Sequence, residues 1–116
     1  PPACATSDFI VYFEWDRSNL NQAALETIES AAASARACNV SAVMVVGHTD
    51  TSGSARYNMG LSERRASVVR DALVAGGISA DAIQTQARGE VDLARQTRDG
   101  VREPLNRRTA VTITFR

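Results

Sequence analysis

Asp50 closes an apolar run, and Arg65 follows it on a segment with helical periodicity. Together they could grip opposite charges on one small ligand. The carboxylate suits an ammonium, and the guanidinium can take a carboxylate through two parallel hydrogen bonds. Asn58 stands two helical turns before Arg65 on the same face, with Leu61 between, and its amide can both donate and accept. The wider pattern is Gly47-His48-Thr49-Asp50, then Tyr57-Asn58, Leu61-Ser62, Arg65-Ala66 and finally Asn106-Arg107-Arg108. Such a set suits an amino-acid centre, ammonium and carboxylate on one carbon, better than bond breaking. Taken alone, Asp50 and Arg65 also fit a simple ion pair fastening a strand to a helix. His48 is the only histidine and reads as a hydrogen-bonded structural group.

These residues must be held by a small scaffold. Residues 9–13 read as a first strand, and 14–19 as a polar connection in which Ser18 or Asn19 caps the next helix. Helix one is expected over 20–37, with Leu20, Ala24, Ile28, Ala31, Ala35 and Cys38 on one face. The apolar run 42–47 predicts a central strand buried on both faces. Ser54 caps a second helix over 55–74, whose apolar face is Leu61, Val68, Val69, Ala72 and Leu73 and which Gly76-Gly77 ends. A short scrap at 78–82 leads to a mostly polar strand at 83–88, near an edge. A charged loop spans 89–105, and 109–115 alternates as a strand with one buried face. The order β-α-β-α-β-loop-β predicts an α/β (α+β) two-layer sandwich, a mixed four-stranded sheet with its helices on one face. Residues 1–8 form an N-terminal lead and 9–116 the domain.

The bulk numbers fit one such domain. The chain has 116 residues, 44% hydrophobic and only 5% aromatic, so the core rests on Ala, Val, Leu and Ile. Formal charge is zero and every cationic side chain is Arg. Residues 88–116 carry seven Arg and four acids, a mild asymmetry without the basic stripe that nucleic acid requires. No stretch approaches the roughly 20 apolar residues of a membrane-spanning helix. No secretory signal follows Pro1-Pro2, so targeting information is expected upstream. Cys4 and Cys38 fit neither a zinc nor a redox spacing. They stay open between a disulfide tying the lead to the end of helix one and two small, partly buried thiols.

The stretch from Gly47 to Thr114 resembles the OmpA-like peptidoglycan-binding domain, a family that includes porin C-terminal domains, peptidoglycan-associated lipoproteins and flagellar stator proteins. The resemblance runs through the motifs above and through Gly53, Val69, Leu73, Gly77-Ile78 and Gly89-Glu90. It extends more loosely to Phe13, Asp16, Ser18 and Leu20. It implies non-covalent binding of bacterial cell-wall peptidoglycan through the free end of meso-diaminopimelate. Asp50 would take the ammonium and Arg65 the carboxylate. Asn58 and Arg107 would line the same pocket, with Asp16 at its side, and Thr49 and Thr51 would face the wall. The resemblance further implies a periplasmic domain attached to the outer membrane, with a barrel, lipid or other membrane segment upstream and other envelope proteins as further partners. No cofactor is expected. Ala87-Arg88-Gly89-Glu90 and Leu93 depart from the family pattern, which makes 95–105 the least transferable stretch.

Two other functions compete. A hydrolase built on His48, Asp50 and a serine lacks a nucleophile elbow and a metal-ligand set. A protein-docking module would use the loop 88–105. For the binding domain, both Asp50→Ala and Arg65→Ala are expected to remove binding with little loss of fold.

Overall fold

Two β-rich runs form the middle of the sheet. In the computed structural model, which describes residues 4–116, β2 (Val40–Gly47) lies between antiparallel β4 (Arg108–Phe115) and parallel β3 (Ile83–Ala87). β1 (Ser7–Tyr12) pairs antiparallel with the other side of β4, giving the order β1-β4-β2-β3. Helices α1 (Gln22–Arg36) and α2 (Ala55–Ala75) supply the second layer. This is the expected α+β fold with a mixed four-stranded sheet. The first strand begins at Ser7, inside the stretch expected to be lead, and residues 1–3 of that lead lie outside the described residues.

Local chemistry sets most element ends. Ser54 caps α2 by accepting from Tyr57 N. At the other end Gly77 adopts φ +105, and Ile78 N–H returns to the Leu73 carbonyl at 3.1 Å. Helix α1 starts later than its apolar pattern suggests. Its cap is Asn21, whose Oδ1 accepts from Ala24 N at 2.8 Å, rather than Ser18 or Asn19. Ala32 turns fully inward and Ala31 only partly, so the buried face of α1 is Ala24, Ile28, Ala32 and Ala35.

The core lies between sheet and helices. Val43 and Val45 of β2, Val111 and Ile113 of β4, Ile28, Ala66, Val69 and Leu73 are all essentially sealed. β2 is central, as its apolar run implies, but it is not buried on both faces. Met44 and Val46 are only half-buried, because the helices cover one face of the sheet and leave the other open. Gly47 sits where α2 crosses closest. A Cβ there would collide with the Ser62 carbonyl, so only glycine lets the helix backbone settle against the end of β2.

Cys4 and Cys38 are disulfide-bonded, with Cα atoms 6.2 Å apart. The bond fastens the segment before β1 to the turn between α1 and β2. The long loop after β3 is held by a few buried polar groups. Asn106 donates to the Arg95 carbonyl and accepts from Arg95 N, both at 2.8 Å. Thr51 binds Arg98 O at 2.7 Å and Val101 N at 3.1 Å through its hydroxyl, and Gly100 N through its carbonyl at 2.9 Å.

Candidate functional site

Past Gly47 the chain leaves the sheet, yet His48, Thr49, Asp50 and Thr51 all stay buried. This stretch runs beneath the start of α2. Asp50 lies deepest among the acids, and both of its carboxylate oxygens have partners. Oδ1 accepts from Ser52 N at 3.1 Å and from Ser52 Oγ at 2.6 Å. Oδ2 accepts from Glu103 N at 3.3 Å and faces Arg107 Nη1 at 3.5 Å.

Arg65 projects from α2 toward the same place and is 0% exposed. It does not pair with Asp50: among the described residues, Asp50's ion pair is with Arg107. Instead Arg65 donates to three backbone carbonyls, Nε to Arg17 at 2.9 Å, Nη1 to His48 at 2.9 Å and Nη2 to Glu14 at 3.2 Å. Its guanidinium also lies 5.2 Å from the centre of the Phe13 ring. A guanidinium has five N–H bonds, so these three contacts leave one unused on each terminal nitrogen. Burial lowers its pKa to about 10, partly offset by the charge of Asp50. That still leaves it charged at neutral pH. The arrangement argues against the expectation that Arg65→Ala costs little fold, because the side chain ties the β1–α1 turn to the end of β2.

Asp50 and Arg65 nevertheless line one cavity of about 130 Å³. Asn58 and Leu61 contribute from α2 between them, and Asp16, Trp15 and Tyr57 form its outer part. Asn58 is held by donating to Ser52 O at 2.8 Å and Glu90 Oε1 at 3.2 Å. Exposed Asp16 adopts φ +56 and accepts a hydrogen bond from the Tyr57 hydroxyl. That bond raises the Tyr57 pKa above its ordinary value. The fold therefore brings Asp16, Asp50, Asn58 and Arg65 together.

Three expected site residues sit elsewhere. Arg107 is not part of the lining. It backs Asp50 from behind and donates through Nε to Phe13 O at 3.1 Å. Thr49 is 1% exposed and its hydroxyl donates to Asp50 O at 2.9 Å, while Thr51 is 4% exposed and pins the loop. Neither threonine faces outward, because the descent of the chain under α2 consumes their polar groups internally.

Sequence reading missed Trp15 and Ser52. Trp15 Nε1 donates to Ser52 Oγ at 2.9 Å, and that hydroxyl in turn donates to Asp50. A lone tryptophan inside a polar connection was the available signal, since such a side chain needs both a surface to cover and a partner for its N–H. His48 is structural in its surroundings. Burial first, then the nearby Arg108, push its imidazole down to about 4, against an opposing influence from Asp92. Its Nδ1 has no hydrogen-bond partner. Among the described residues no cluster of His, Cys, Asp and Glu could hold a metal ion.

Comparison with known proteins adds ancestry to this geometry. A family profile described as the OmpA family matches residues 12–107. An outer membrane protein of Gluconacetobacter diazotrophicus is 35% identical over 111 residues, covering 90% of this chain and 29% of the relative. A peptidoglycan-associated lipoprotein of Pasteurella multocida is 33% identical over 87% of this chain and 67% of its own length. The solved OmpA-like domain of FopA1 from Francisella tularensis superposes with a TM-score of 0.80 at 26% identity, covering 92% of this chain and 71% of that one. The chain thus spans under a third of the first relative's length.

Proposed function

This chain belongs to the OmpA family, and from that premise we propose that it binds bacterial cell-wall peptidoglycan without covalent chemistry, holding the free amino-acid end of meso-diaminopimelate. It acts as a structural domain and not an enzyme, a reading supported by its membership of the OmpA family and its likeness to a peptidoglycan-associated lipoprotein. The carrying observation is that Asp50 and Arg65, opposite in charge and not paired with one another, line one cavity with Asn58 between them. Asp50 takes the ammonium. The two spare N–H bonds of Arg65 take the carboxylate. Asn58 orients the centre from the side, and Asp16 stands at the mouth. Arg107 holds Asp50 in place, and Thr49 and Thr51 hold the buried segment. The domain then anchors a larger protein of the Gram-negative envelope to the wall from the periplasm. A barrel, lipid or other outer-membrane attachment belongs to segments outside this sequence. The loop 88–105 is bound to Thr51, Asp50 and Asn106, which makes it a support for the segment carrying Asp50 before it is a docking surface for another envelope protein.

Co-sedimentation with insoluble sacculi, with free diaminopimelate as competitor, tests this. Asp50→Asn keeps the side chain's shape but removes its charge. Losing one charge-assisted contact is expected to weaken retention by roughly ten- to a hundredfold. Circular dichroism should show the fold retained. Equal retention of wild type and Asp50→Asn, or no competition by diaminopimelate, would overturn the reading.

A further inference from the structure

We propose that Arg102 forms a second anion-binding position at the rim of the cavity, taking the terminal carboxylate of the same wall peptide whose amino-acid centre lies between Asp50 and Arg65. The inference rests on the peptidoglycan reading above and extends it to a residue outside the cavity lining. Arg102 belongs to the loop that departs from the family pattern. Its guanidinium carbon lies 3.5 Å from the centre of the Trp15 ring, a stacking contact. Trp15 is itself fixed through Ser52 to Asp50. Arg102 is thus placed relative to Asp50 by three successive contacts and does not wander as an exposed arginine ordinarily does.

The stack uses the face of the guanidinium and leaves its edge open. Among the described residues Arg102 enters no ion pair, and its side chain makes no hydrogen bond. Arg65, by contrast, gives three of its N–H bonds to backbone carbonyls, and Arg107 is taken up by Phe13 O and Asp50. A planar fork whose orientation is set by stacking but whose N–H groups remain free is suited to a carboxylate in two-point geometry.

Charge points the same way. The lining holds Asp16, Asp50 and Arg65, and Arg107 behind Asp50 brings acids and arginines into balance. A zwitterionic centre leaves that balance unchanged, so a second carboxylate finds no surplus cation there. Arg102 on the Trp15 wall supplies one where a peptide would leave the cavity. Arg64 offers a comparison: it is an exposed arginine beside Tyr57, 5.7 Å from that ring's centre rather than stacked on it.

The test compares two diaminopimelate-containing peptides, one ending in a free carboxylate and the other in an amide. Their affinities are measured by calorimetry for wild type, Arg102→Gln and Arg64→Gln. Wild type should prefer the acid by about fivefold at low salt, near the upper end for an exposed ion pair, and less as salt screens it. Arg102→Gln should bring the ratio to about one without changing affinity for the amide. Arg64→Gln should keep the preference. Arg102 is exposed, so its variant folds. Equal binding of acid and amide by wild type overturns this inference and leaves the parent reading standing. A preference that survives in Arg102→Gln does the same. Binding of neither peptide overturns both.

Discussion

Arg65 offers the sharpest test of how site and scaffold are joined. Replacing it by alanine strips the carbonyls of Arg17 and His48 of their donor and leaves that of Glu14 with Arg17 N alone. An acceptor left unsatisfied costs about 1–3 kcal/mol, so the gross loss for the two is roughly 2–6 kcal/mol. Against it stands the price of burying the charge. Burial lowers the Arg65 pKa to about 10, which corresponds to roughly 3 kcal/mol that the substitution returns. Water entering the emptied space offsets part of the remainder. The net expectation is a loss of up to about 3 kcal/mol, a sizeable share of the roughly 5–15 kcal/mol typical of a domain. Arg65→Lys should be no better, because it keeps the desolvation and reaches fewer of the three carbonyls. Glu14 and Arg17 are the two ends of one turn, joined by a 3.1 Å hydrogen bond, and Trp15 and Asp16 lie between them. Arg65→Ala should therefore also loosen Trp15. Urea unfolding followed by circular dichroism measures the stability change, and acrylamide quenching of the only tryptophan reports the turn. If Arg65→Ala stays within about 1 kcal/mol of wild type and quenches no faster, Arg65 is a detachable ligand contact and the cross-link described here is wrong.

Three further outcomes follow from the same structure. His48 has a folded pKa depressed from 6.5 to about 4 by burial and by Arg108, with Arg88 adding and Asp92 opposing. The unfolded chain therefore binds the proton first as pH falls. The stabilisation, about 3 kcal/mol at most, is complete above pH 6.5 and lost on descending to about pH 4. Unfolding midpoints across that window should be flatter in His48→Gln. Reducing the Cys4–Cys38 bond, which spans a separation of 34 residues, should lower stability by about 2–4 kcal/mol, measured by urea titration with and without reductant. Gly47→Ala drives a methyl into the Ser62 carbonyl and should destabilise by about 3 kcal/mol or more; a thermal midpoint unchanged from wild type would show that α2 can back away freely.

The parts of the fold that follow from nearby residues were readable in the sequence. Ser54 beside a polar turn, Gly76-Gly77 after an apolar face, and the alternation through Val111 and Ile113 each act within a few residues. What eluded sequence reading depends on distant partners. The element order put both helices on one face of the sheet, but the unbroken apolar run around Val43 still read as buried on both. Nothing near Arg65 says that its donors meet carbonyls from residues 14, 17 and 48. Thr51 looks like turn material until its hydroxyl is seen to hold Arg98 and Val101. The types and spacing of Asp50, Asn58 and Arg65 were enough to bring them to one cavity, because a strand end and the first turns of the following helix must meet there.

A structural Arg65 and a binding Arg65 are compatible, and the first helps the second. A flexible arginine gives up about 2 kcal/mol of rotamer entropy when it grips a ligand. Arg65 has lost that freedom already in folding, through three carbonyls, and presents its two remaining N–H bonds in a fixed direction. Asp50 is fixed likewise by the backbone and hydroxyl of Ser52. A cavity of about 130 Å³ admits an amino-acid head and little else, so the contacts available to any one handle are few. Preorganisation is then the main lever on affinity at a single site. The handle is repeated along a polymer, and modest single-site affinity suffices where many anchors engage one wall. It follows that mutations loosening Arg65 or Ser52 should weaken binding to an isolated peptide and to sacculi unequally. Loss should be larger for the isolated peptide, because the polymer's multivalency compensates only on the sacculus. Equal losses on both would show that retention rests on single-site contacts alone.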